Sequence, residues 1–203
     1  MSAQPQPHYT FEDYLAMERE ALDVRHEYVN GEVFAMVGAS LNHNHIVVNL
    51  VISLGNQLRE RPCDVFASDM KVRIEAADAL TYPDLAAVCG QPELYDERKD
   101  ILLNPNVIVE VLSPSTEAWD RGGKFAIYRQ IPTLQEYLLV SQDRLLVERY
   151  RRQGNGQWLL SDFTRPEDEV ELASVRCRLG LAEVYAKVDL GSESHVAGPV
   201  GSG

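Results

Sequence analysis

Apolar positions along the chain change period several times, and each change marks an element. Over residues 43–58, Ile46, Val47, Leu50, Val51, Leu54 and Leu58 recur at spacings of three and four, which predicts a helix with one buried face. Before it, Thr10-Phe11-Glu12-Asp13 resembles a capping box, and Phe11, Tyr14, Leu15 and Leu22 follow at roughly helical spacing, predicting a short first helix. Residues 26–29 and 32–36 flank Asn30-Gly31, a dipeptide suited to a turn needing positive φ twice, so a β-hairpin is expected. Beyond Pro62 the pattern turns to strands. Residues 65–68 and 70–74 read as one long or bent strand, and residues 82–88, after a turn at 76–79, as its antiparallel partner. Residues 90–106 are polar, contain Pro92 and Pro105, and read as a long loop. Then comes Val107-Ile108-Val109-Glu110-Val111-Leu112, broken by Ser113-Pro114-Ser115-Thr116 and followed by a helix capped by Thr116 or Asp120 that runs through Lys124 to Gln130. Residues 134–140 form a buried-type strand, residues 145–151 and 157–163 a second hairpin around Gly154-Asn155-Gly156, and residues 179–188 a closing helix. The expected architecture is α/β: one domain over 10–190, a flexible stretch 1–9 and a disordered tail 191–203.

Glu110 is the anomaly in this pattern. A strand apolar on both faces belongs inside a sheet covered by helices, where an ionised carboxylate costs several kcal/mol unless a cation or donors meet it. Tyr82-Pro83-Asp84-Leu85-Ala86-Ala87-Val88 repeats the theme, with proline at the strand entrance and one acid ahead of an apolar run. Two neighbouring strands would bring Asp84 and Glu110 together.

Composition narrows the function classes. At 203 residues, 45% hydrophobic and 25% charged, the chain suits one well-cored globular domain, and it contains no apolar run of signal-peptide or membrane-span length. A soluble cytoplasmic protein without a membrane partner is expected. The net charge of −12 sits badly with a free-standing nucleic-acid binder, which usually presents a basic surface. Cys63, Cys89 and Cys177 are odd in number and lack CxxC spacing, so neither a disulfide framework nor a zinc knuckle is expected, in keeping with a reducing cytosol.

Taken in order, Tyr-Pro-Asp at 82–84, Val-Glu-Val-Leu-Ser-Pro-Ser-Thr at 109–116, Asp-Arg-Gly-Gly-Lys at 120–124 and Gln-Glu-Tyr-Leu-Leu-Val at 135–140 resemble a restriction-endonuclease-like family of unknown physiological role within the PD-(D/E)xK superfamily. The resemblance covers roughly residues 10–185. It implies a restriction-endonuclease-like core with a mixed central sheet flanked by helices, with Asp84 as the first acid and Glu110 as the second. The superfamily's lysine would stand two residues after Glu110, where this chain has Leu112; the resemblance makes Lys124 the migrated substitute.

Two converging carboxylates make an oxygen-rich site suited to Mg²⁺ or Mn²⁺ rather than zinc. The blander alternatives are a strand-entrance acid for Asp84, a buried arginine partner for Glu110 and an exposed pair with Asp120 for Lys124. Asp69-Met70-Lys71 spells D-x-K but precedes Asp84, the wrong order for the motif. The resemblance suggests that His43 faces the cleft, although a polar first helical turn explains it equally well. Of the two hairpin acids, Glu27 and Glu32, both simplest as solvent-facing, Glu32 is the better accessory candidate. Arg149-Tyr150-Arg151-Arg152 is the one dense basic cluster; Arg149, Arg151 and Arg152 are candidate nucleic-acid contacts, with a solvated hairpin face as the commoner explanation. Taken together, these readings lead to an expected Mg²⁺-dependent endonuclease acting on DNA, a homodimer by analogy. The competing expectations are an inactive binding or assembly module and a hydrolase of small phosphodiesters.

Overall fold

The computed structural model of the protein describes residues 8–191. In chain order the elements are α1 (Phe11–Glu20), β1 (His26–Val29), β2 (Glu32–Ala35), α2 (Leu41–Leu58), β3 (Cys63–Ala67), β4 (Lys71–Ile74), β5 (Ala79–Thr81), β6 (Leu85–Cys89), β7 (Ile101–Leu102) and β8 (Val107–Leu112). A short helical crossover follows: α3 (Glu117–Trp119), a π turn (Asp120–Lys124) and α4 (Phe125–Tyr128). The chain then adds β9 (Glu136–Ser141), β10 (Val147–Arg152), β11 (Trp158–Phe163), β12 (Glu169–Leu172), β13 (Cys177–Gly180) and α5 (Leu181–Val184).

The central sheet has the order β11-β10-β9-β8-β6-β3 and is mixed: β8 and β9 are parallel, joined by the helical crossover, and the other pairs are antiparallel. Its two faces follow from strand alternation. Val107, Val109 and Val111 pack with Ile46, Leu50, Leu54 and Leu58 of α2, the buried stripe that the three-and-four spacing marks out. Ile108 and Leu112 face the other way, onto Ile127 and Tyr128 of α4 and onto Val72, Ile74 and Ala79 of a second sheet, ordered β2-β1-β5-β4-β7. Phe11, Tyr14 and Leu15 of α1 close the far side of that second sheet over Tyr28 and Leu80.

The structure departs from the sequence reading at both strand junctions before Glu110. Residues 65–74 are two strands, because the chain turns where Met70 N donates to Ala67 O (3.0 Å), placing β3 in the central sheet and β4 in the second. Tyr82-Pro83-Asp84 makes the return crossing, so the expected antiparallel pair becomes two pairs, β3–β6 and β4–β5, in different sheets. The long loop carries β7, paired in parallel with β4. The closing helix shrinks to Leu181–Val184, and ahead of it lies the β12–β13 hairpin, whose alternating burial was there to be read in Glu169-Val170-Glu171-Leu172. Cys63 and Cys89 face each other in the β3–β6 register with Cα atoms 4.0 Å apart and form a disulfide. This corrects the expectation of unpaired thiols: a separation of 26 residues carries no pairing signal until the register is known. Tyr9 N donates to Gly31 O (2.9 Å), so the fold takes in the last residues of the 1–9 stretch. The remainder of that stretch, and the tail beyond Gly191, lie outside the described residues. No helix among the described residues is long and apolar enough to cross a membrane.

Candidate active site

Register sets the two acids against each other. Leu85 pairs with Val109 and Ala86 with Ile108; the ladder ends there, and Asp84, just ahead of it, is brought beside Glu110 by the bond it accepts from Val111 N. Alternation puts Glu110 on the face of Ile108 and Leu112, the side covered by α4 and the second sheet. Asp84 is held firmly: Oδ2 accepts from Val111 N at 2.7 Å, and His43 Nε2 lies 3.1 Å from Oδ1. His43 gets there because Ser40 caps α2, accepting from His43 N, and so presents the first helical turn to the strand ends.

Glu110 is buried. Its Oε1 accepts from Lys124 Nζ (3.0 Å) and from the Tyr128 hydroxyl (2.7 Å). Lys124 also lies 3.0 Å from Glu27 Oε1 and 3.6 Å from Asp120 Oδ1. Asp120 is itself buried, and its Oδ1 has no hydrogen-bond partner among the described residues. Glu27 Oε1 takes a second bond from Tyr82 N at 3.0 Å, which ties the hairpin to the chain just before Asp84. Three buried carboxylates therefore share one ammonium, with Asp84 close by.

Charge balance follows from this crowding. Burial raises Glu110 well above its ordinary 4.5, and Asp84, Asp120 and Glu27 add to the rise against the opposing pull of Lys124. Asp120 is raised for the same first reason. Burial by itself would drive Lys124 down, yet Glu110, Glu27 and Asp120 more than reverse it and hold the ammonium well above 10.5. The site is short of positive charge.

The acids and Lys124 line a cleft of about 1110 Å³ together with His43, Phe34 and Trp119. Among the described residues no three His, Cys, Asp or Glu side chains are gathered as a cage for a metal. A pair of carboxylates on adjacent strands is nevertheless how Mg²⁺ is commonly held, with water and substrate phosphate completing its shell. The residues that could hold such an ion are Asp84 and Glu110, whose oxygen donors in a surplus of negative charge would suit Mg²⁺ or Mn²⁺.

Other sequence candidates fall elsewhere. Glu32 is exposed and outside the cleft; the hairpin acid in the site is Glu27, because the second sheet turns that residue inward. None of the three arginines lines the cleft. Arg149 is buried, donates to Glu171 O (2.7 Å) and packs over Phe163. Arg152 donates to the carbonyls of Leu134, Arg129 and Ile131, each at 2.8 Å, and Arg151 is half-buried on the strand face of Arg149. Arg152→Glu should accordingly lower stability by about 1–3 kcal/mol, the cost of stranding buried acceptors, while Arg151→Glu leaves the urea midpoint nearly unchanged; equal midpoints for both variants would contradict this division. Of Asp69-Met70-Lys71, Lys71 is buried against Asp100 at 3.0 Å and lies outside the cleft, whereas Asp69 is exposed on the cleft lining and pairs with Arg25.

A model of the family described as "Uma2: Putative restriction endonuclease" matches residues 11–182. The chain belongs to the Uma2 family. Relatives of this Uma2 protein include two from Synechocystis sp., each 36% identical: "Uncharacterized protein sll1609", matched over 82% of this chain and 94% of its own length, and "Uncharacterized protein slr1290", over 89% and 93%. Among solved structures, a "putative nuclease belonging to DUF820" from Anabaena variabilis superposes with a TM-score of 0.71 over 87% of this chain and 97% of its own, at 19% identity. At that identity the superposition shows a shared fold, and with the family match it establishes the restriction-endonuclease-like architecture of this Uma2 chain.

Proposed function

We propose that this protein is a divalent-metal-dependent phosphodiesterase that cleaves nucleic acid, with DNA as the expected substrate. The observation that carries the reading is the convergence of Asp84, Glu110 and Lys124 on one open cleft, with Asp84 bonded to the strand of Glu110 at Val111 N and Lys124 hydrogen-bonded to Glu110. A bound Mg²⁺ or Mn²⁺ would supply Lewis acidity toward a phosphate oxygen and toward an attacking water.

The chain's own groups divide the remaining tasks. Asp84 is held in one orientation by Val111 N and His43, and Glu110 by Tyr128, so the two carboxylates are aimed before any ligand arrives. Glu110, Glu27 and Asp120 bias Lys124 toward its charged form. It acts as a fixed cation and donor that counters charge developing on the phosphate. His43, on Asp84, borders the same cleft and stands where it can steer the entering water.

The test is hydrolysis by the full chain, with Mn²⁺ or Mg²⁺, of supercoiled plasmid, a single-stranded oligonucleotide and a chromogenic phosphodiester, each beside Asp84→Asn. Metal-dependent turnover that disappears in the variant is the expected result. Turnover of the chromogenic ester alone would restrict the activity to small phosphodiesters, which the net charge of −12 favours over duplex DNA. No turnover of any substrate would overturn the reading in favour of a binding or assembly module.

A further inference from the structure

The cleft holds two aromatic side chains that the chemistry above leaves unused. Phe34 on β2 and Trp119 at the end of α3 are 46% and 40% exposed, although both rings line the same cavity as Asp84, Glu110 and Lys124. Their centroids are 6.5 Å apart at an interplanar angle of 36°, so together they form one tilted apolar surface beside the acids. The Trp119 ring is seated in a definite place: it lies over Gly123, where an added Cβ would come within 1.9 Å of the ring carbons. Residue 123 therefore leaves room for an indole laid forward along the helix toward Lys124.

We infer that Phe34 and Trp119 form a stacking platform for an unpaired base, so that the strand cleaved at Asp84 and Glu110 is single-stranded or locally unpaired nucleic acid. This rests on the phosphodiesterase reading and deepens it. A duplex would have to be held by cations along its phosphates. Here the net charge is −12, and Arg149 and Arg152 are committed to backbone carbonyls away from the cleft. Stacking adds affinity that does not come from phosphate charge, and because every base offers a π face each base–aromatic contact contributes whatever the sequence. The platform also adjoins the acids, so a stacked base would bring its own phosphodiester toward them.

The experiment is anisotropy binding to the full chain, with Ca²⁺ as the divalent ion, of a labelled single-stranded 12-mer, its duplex and an abasic strand of equal length. The single strand should bind more tightly than either of the others. Trp119→Ala should weaken it by about five- to a hundredfold, the range of one lost stacking contact, while Trp119→Phe retains most of the affinity. Abasic binding should not change in Trp119→Ala, which separates loss of stacking from loss of fold. Equal affinity for the abasic strand, no loss in Trp119→Ala, or no single-strand binding by the wild type would each overturn the platform. Failure of the phosphodiesterase reading shows itself differently, as binding of this pattern without metal-dependent hydrolysis.

Discussion

Glu110→Gln is expected to raise the thermal midpoint of the metal-free protein while removing Mn²⁺ binding. In the folded chain this carboxyl is buried beside Glu27, Asp84 and Asp120, and only Lys124 and Tyr128 compensate it. An amide of the same shape keeps an acceptor for both donors and removes the repulsion, so the gain should be about 2–4 °C for each kcal/mol relieved. Its pH dependence has a definite sign. Glu110 and Asp120 are raised in the fold, so the stability they lend is complete below their ordinary values of 4.5 and 3.8 and is lost as the pH rises through the higher folded values. The advantage of Glu110→Gln should therefore widen from about pH 4 toward neutrality. Mn²⁺ affinity should fall by at least about a hundredfold, because losing even an outer partner of a metal ligand costs up to that much. Calorimetric titration with Mn²⁺, beside melting curves across pH, checks both parts. Unchanged Mn²⁺ affinity would remove Glu110 from the ligand set.

Lys124→Met is expected to cost both stability and rate. Removing the ammonium leaves Glu27, Glu110 and Asp120 facing one another without their shared cation, and breaking a buried pair in this one-sided way costs about 3–5 kcal/mol. The loss should shrink on acidification, as the carboxylates take up protons, and in Mn²⁺, which restores positive charge to the cluster. Any hydrolysis should drop by on the order of 10²–10³, the scale for one electrostatic partner of the transition state, while Mn²⁺ affinity rises in step with the stability that Mn²⁺ restores. Denaturant melts with and without Mn²⁺ separate the two effects. A variant as stable and as active as the wild type would show Lys124 to be a bystander.

How much of this was legible beforehand varies with the kind of signal. Glu110 announced itself by interrupting an apolar run, and Asp84 by following a proline at a strand entrance; both are local patterns. That Lys124 reaches Glu110 came only through family resemblance, because nothing in Asp120-Arg121-Gly122-Gly123-Lys124 says which way a π turn will point. Glu27 was weighed and passed over in favour of Glu32. Next to a turn, with Glu32 across the hairpin, it reads as a solvent-facing acid, and its burial depends on packing between two sheets. The second sheet was itself hidden, since the three residues between β3 and β4 look like a bend within one strand and the three between β5 and β6 look like the entrance to the next. Arg152 misled for a related reason: a run of arginines suggests phosphate contacts, while three backbone carbonyls waiting for donors leave no trace in the sequence.

Leu112 occupies the place where the superfamily motif would carry its lysine, and it is buried in the same apolar cluster as Ile127 and Tyr128. The positive charge instead comes from the crossover, on a side chain anchored to the π turn. The acids and the cation are thus indexed to different parts of the architecture. Asp84 and Glu110 are locked to strand register, and a one-residue slip would turn either of them out of the site. Lys124 hangs from the crossover between the two parallel strands, outside the ladder that fixes their register. Sequence change within residues 113–123 can therefore retune the distance between cation and acids, and with it the charge offered to a ligand, without touching the strands, whereas a pattern that counts two residues on from the second acid would pass over this chain entirely.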